Sequence, residues 1–87
     1  MKKDYVNGIA DGIKGIRRGF VDKKELYDAS YKEGSELAFR AAGIDYDTGY
    51  HLRLVGGFCL TKEQEEAALW LAGQYINQGG EISEAYA

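Results

Sequence analysis

The residues able to do covalent chemistry are few. One thiol, Cys59, one imidazole, His51, and the nearby carboxylates Asp45 and Asp47 supply on paper a nucleophile, a base and an orienting acid. No nucleophile motif surrounds Cys59, and a structural histidine with an inert, packed thiol is the simpler expectation. A single cysteine and a single histidine exclude a zinc site built from those residue types alone, and the carboxylates show no ligand spacing that would complete one. Glu63, Glu65 and Glu66 resemble paired acids. They fall where a helix is expected to start, and the macrodipole accounts for them without catalysis. The reading assigns no catalytic residue, no metal and no cofactor.

Other patterns suit binding. Lys14, Arg17 and Arg18 share a face if the segment around them is helical, with Lys23 and Lys24 close behind, which would present a phosphate-binding patch. In an acidic chain with no nucleic-acid motif a solvated, ion-paired face is the plainer expectation. Seven tyrosines and one tryptophan are more aromatic surface than so small a core can absorb. Trp70, Tyr75, Tyr27, Tyr31 and Tyr50 are the candidate partner contacts, since such rings bury much area with few rotatable bonds; rim packing is the alternative use. Gly8, Gly12, Gly15 and Gly19 recur at spacings of four, three and four, and a bare stripe of this kind lets another helix approach closely, in the same chain or in a second copy. Self-association is assigned to these four glycines.

The elements that must position these residues read as helices. Val6, Ile9, Ile13, Ile16 and Phe20 form one apolar stripe, which predicts a helix over 3–20 with the glycines about 110° around it. Each interior glycine costs about 1 kcal/mol against alanine, so this helix depends on packing. Asp22 and Glu25 match a capping box that opens a second helix, 22–42, and Gly43 with Ile44 behind it reads as a Schellman stop. Over 47–58 the signals conflict. Tyr50, Leu52 and Leu54 alternate like a strand over 50–55, but no other segment could pair with it, and a short helix ending at Gly56-Gly57 agrees better with the rest. Thr61 and Gln64 form a second capping box, opening a helix over 61–78 whose inward face is Ala68, Leu71, Ala72, Tyr75 and Ile76; Gly79-Gly80 ends it. Residues 81–87 read as a flexible tail.

Length and composition bound the rest. Eighty-seven residues at 45% apolar make one globular domain, taken as 1–80, with a thin stability margin. No apolar run is long enough to span a membrane, and the charged N-terminus leads into no secretory core. One unpaired thiol in so small a chain favours a reducing compartment, hence the cytoplasm. Residues 1–24 hold seven basic residues against three carboxylates, a balance of +4, while residues 25–87 hold four against eleven, a balance of −7, for the net charge of −3. Such a split can orient the chain toward a charged partner or a copy of itself. The expectation is an all-α bundle of three main helices, with α+β as the alternative. Its function would be that of a non-enzymatic, self-associating protein-binding module of accessory or inhibitor type, such as phages encode against host machinery. The alternatives are a nucleic-acid or nucleotide-phosphate binder on the basic helix and, last, a small enzyme using His51 and Cys59.

Overall fold

A computed structural model describes residues 2–78. The expected tail over 81–87, the Gly79-Gly80 stop and Tyr86 lie outside the described residues, as do the side chains of Tyr75 and Ile76. The described chain is all-helical: α1 (Lys2–Lys14), α2 (Lys24–Ala41), α3 (Tyr46–Leu54) and α4 (Lys62–Gln78). The ambiguous segment is therefore helix, and the strand alternative over 50–55 is set aside.

Three of these helices stop on the same device. Gly15, Gly43 and Gly56 have φ of +76°, +75° and +77°. In each case the following amide reaches back five residues, Ile16 to Asp11 O (3.1 Å), Ile44 to Phe39 O (3.0 Å) and Gly57 to Leu52 O (2.8 Å), the long bond of the Schellman motif. The stop at Gly15 corrects the expected helix over 3–20: only Lys2–Lys14 is helical. Ile16 and Phe20, expected on the buried stripe, are instead exposed.

The starts divide. Thr61 and Gln64 make the reciprocal box, Thr61 Oγ1 accepting from the Gln64 amide (3.1 Å) and Gln64 Oε1 from the Thr61 amide (3.0 Å). Asp45 Oδ1 accepts from the Thr48 amide to cap α3. The Asp22–Glu25 box is not used. Lys23 is the N-cap of α2, and its amide donates across the molecule to Asp4 Oδ2 at 2.8 Å. A tertiary carboxylate has replaced the local one.

That bond reveals the topology. Asp4 meets Lys23, Gly8 meets Tyr27 and Ser30, Ile9 meets Gly34, and Gly12 meets Tyr31 and Ser35. Both numbers rise together, so α1 and α2 are parallel, and residues 15–23 form a strap that returns along α1 to its start. Nine extended residues reach about 30 Å, well over the roughly 20 Å length of α1. The parallel pair lies very close. A Cβ at Gly12 would stand 2.2 Å from Tyr31 O, and one at Gly34 2.1 Å from Ile9 O. Tyr5, Ile9 and Ile13 of α1, Leu26, Leu37 and Ala38 of α2, and Ala68 and Ala72 of α4 form the core, with Phe58, Leu60 and Leu71 packed at its edge. α3 crosses α2 at Phe39, whose ring lies where a Cβ on Gly49 would be.

Candidate functional site

The strap is held by two carboxylates of α1, which the sequence analysis did not single out. Asp4 and Asp11 are both buried on α1. Asp11 Oδ2 accepts from Arg18 Nε (2.6 Å) and from the Tyr27 hydroxyl (2.6 Å), while the Arg18 amide donates to that same hydroxyl (3.1 Å). Tyr27 is buried, not a partner contact. Burial first, and then its bond to Asp11, raises the phenol above its usual range, so it stays protonated and donates. The Arg18 bond outweighs burial and holds the Asp11 carboxyl below the usual carboxylate range, with Tyr27 adding to the effect.

The basic cluster is not a helix face. Arg17 and Arg18 lie on the strap and both have anionic partners: Arg17 pairs with Asp28 and lies over Tyr31, 4.6 Å from the ring centre, and Arg18 pairs with Asp11. Lys14, at the end of α1, is exposed. Two of the three proposed phosphate contacts are thus neutralised in place, and the field that would draw a phosphate is correspondingly weak.

The glycines likewise divide. Gly8 and Gly12 are buried against α2, so their bare surface is consumed within the chain. Gly15 is a helix stop and Gly19 faces open space on the strap. None of the four forms the helical surface for a second copy that the spacing suggested.

Among the aromatic candidates whose side chains are described, Trp70 is the most exposed, at 64%. Leu69 beside it is 41% exposed, and nothing stands within 4 Å of the point above Gly73, one turn on, where a Cβ would be. Glu63, Glu66, Trp70 and Gly73 fall at helical spacing along the outer face of α4. Tyr31 is half-buried under Arg17, and Tyr50 is half-exposed, stacked on Tyr46 at 6.1 Å.

A cleft of about 450 Å³ opens beside the end of α1, lined by Ile13, Ile16, Arg53, Phe58, Cys59 and Leu60 among others. His51 does not line it, so imidazole and thiol are not brought together there. Cys59 is exposed, which corrects its expected place in the packing. Among the described residues no group of three or more His, Cys, Asp or Glu is gathered as a metal site requires. No helix among them is long and apolar enough to cross a membrane.

Arg53 is the residue that sequence reading missed. It projects from α3 with Nη1 donating to Ser35 Oγ (2.8 Å) and Nη2 to the carbonyls of Gly12 (2.9 Å) and Ile13 (3.5 Å), acceptors that have no donor within the helix at the end of α1. Its guanidinium lies 4.9 Å from the ring centre of Phe39 and 5.5 Å from that of Phe58. A local pattern showed only a polar residue in an alternating run.

The acid side of the stability curve should report the strap. Because the folded-state pKa of Asp11 is depressed, its contribution is complete above the unfolded value, about 3.9, and is lost as pH falls through the folded one. Asp11→Asn should cost about 2 kcal/mol at pH 7. In urea melts the gap to wild type should narrow below about pH 4. An undiminished gap in acid would show that charge does not hold the strap.

No protein-family model, no curated protein and no solved structure matches the chain.

Proposed function

We propose that the chain is a non-enzymatic protein-binding module whose contact face is the outer side of α4, centred on Trp70. The observation that carries this reading is the exposed indole flanked by Leu69 and the uncovered Gly73. A tryptophan left to water forgoes a large burial term that docking would recover. An exposed ring with Gly73 open one turn on and Glu63 and Glu66 before it on the same face suits an apolar anchor entering a partner's pocket. The small size and sparse reactive inventory suit an accessory or inhibitor protein of the kind phages encode, working in the cytoplasm.

The test is Trp70→Ala in a chain immobilised against extract of its own host. The variant should lose at least about thirty-fold in affinity for whatever specific protein the wild type retains, the hot-spot scale. Its melting temperature should stay within a few degrees, because so exposed a ring contributes little to the core. Equal retention by both chains would move the contact face elsewhere.

A further inference from the structure

The cleft beside the end of α1 contains a cation that the fold uses on one side only. A guanidinium carries five N–H donors, and the bonds of Arg53 to Ser35 Oγ and to the Gly12 and Ile13 carbonyls employ at most three of them. Nε takes part in none of these bonds. A Cβ on Gly15 would stand 3.0 Å from it, and Gly15 lines the cleft, so this edge of the guanidinium faces the opening. No carboxylate pairs with Arg53 among the described residues. Burial pulls its pKa down, and the groups that act against burial are the phenols of Tyr31 and Tyr46. The carbonyl end of α1 offsets only about half a charge.

Much of the remaining lining is apolar. Ile13, Phe58 and Leu60 belong to the core or border it, and Ile16 is left exposed. Lys14 and Glu65 are the other charged residues described there, and neither forms an ion pair among the described residues. Asp11 attracts Lys14 from one turn back, but its carboxylate is already bonded to Arg18 and Tyr27. Two cations against one carboxylate leave the lining a balance of +1. At about 450 Å³ the cleft is of the size that holds small molecules, roughly 300–1,000 Å³. Neither Leu69, Trp70 nor Gly73 borders it, so it is separate from the contact face on α4.

We propose that this cleft binds a small monocarboxylate with an apolar body, its carboxylate on the open edge of Arg53 and its body against Ile13, Ile16, Phe58 and Leu60. A carboxylate accepts charge-assisted bonds from a guanidinium edge, and Lys14 adds to the attraction as a point charge. A balance of +1 suits a monoanion. A phosphate dianion would bring a second negative charge, unmatched, to the carbonyl end of α1. Taking Ile16 and the Phe58 ring out of water rewards the apolar body.

The experiment is an amide NMR titration of the full chain with 3-phenylpropionate, and with 3-phenylpropionamide as its neutral counterpart of the same shape. The acid should bind with a Kd of about 1 mM or tighter and shift the amides of Gly15, Ile16, Phe58, Cys59 and Leu60 most. The amide should bind at least about tenfold more weakly, since it lacks the charge that Arg53 meets. Lys14→Glu, at an exposed site, should weaken the acid at least about fivefold. Glu65→Gln should tighten it about threefold, a gain that impaired folding cannot imitate, so the test stands even if replacing Arg53 unfolds the chain. Trp70→Ala should leave the Kd unchanged, which keeps this site and the α4 face separately testable. Equal binding of acid and amide, a Glu65→Gln chain that binds no more tightly than wild type, or shifts centred away from the cleft would overturn the assignment.

Discussion

Gly12→Ala should come close to unfolding the protein. The added methyl would lie 2.2 Å from the Tyr31 carbonyl oxygen and 3.0 Å from the Ser35 amide nitrogen. Both are backbone atoms of a helix, so no side chain can rotate away and the two helices must separate. Separation opens the core contacts of Ile9 and Ile13 and lengthens the bonds from Arg53 to the end of α1. Overpacking of this kind costs about 3 kcal/mol or more, enough to remove much of a small domain's stability, and corresponds to a fall of about 15 °C or more in melting temperature. Gly34→Ala should behave alike, because its methyl would meet the Ile9 carbonyl. The control is Gly73→Ala, on a helix and facing open space, which should gain up to about 1 kcal/mol from propensity alone. Circular dichroism melts of the three variants check this. A Gly12→Ala chain as stable as wild type would mean that α1 and α2 do not approach at this distance.

The same glycines show where sequence reading succeeds and where it stops. A stop such as Gly43-Ile44, or a box such as Thr61–Gln64, is written in adjacent residues and appears in the structure as the pattern implies. Gly15-Ile16 is the same dipeptide as Gly43-Ile44, but it lies inside an apolar stripe whose spacing runs on to Phe20, so periodicity alone predicts a longer helix. Helix continuation would have placed glycines at both 15 and 19 in its last turns, an added cost of about 2 kcal/mol, which was the available signal against it. Gly8 and Gly12 were legible as a close-packing surface; their partner was not, because a bare stripe is the same whether the other helix belongs to this chain or another. Asp4 and Asp11 stand seven residues apart on one helical face, where their burial depends on a strap whose return path no local pattern records. Trp70, by contrast, was legible as an outward ring because its helix was correctly bounded.

Arg53→Met should be the most damaging change of a single polar side chain. The methionine fills similar space between Phe39 and Phe58 but donates nothing to Ser35 Oγ or to the Gly12 and Ile13 carbonyls. α3 packs otherwise lightly on the bundle, so one guanidinium ties it to α2 through Ser35 and to α1 through the helix end. Burial works against the charge and pulls its pKa down. The compensation is the negative end of the α1 dipole together with the two ring faces. Charged hydrogen bonds contribute about 1.5–3 kcal/mol and partly exposed cation–π contacts about 0.5–1, so the expected loss is about 3 kcal/mol. Arg53→Lys should recover less than half, because a single ammonium cannot span a hydroxyl and two carbonyls while stacked as a plane. Amide exchange gives the local readout. With Arg53 gone, the Gly15 and Ile16 amides that close α1 should lose protection before the Thr61–Gln64 cap does. A urea midpoint within error of wild type, as for an ordinary surface arginine, would show that α1 ends without help from α3.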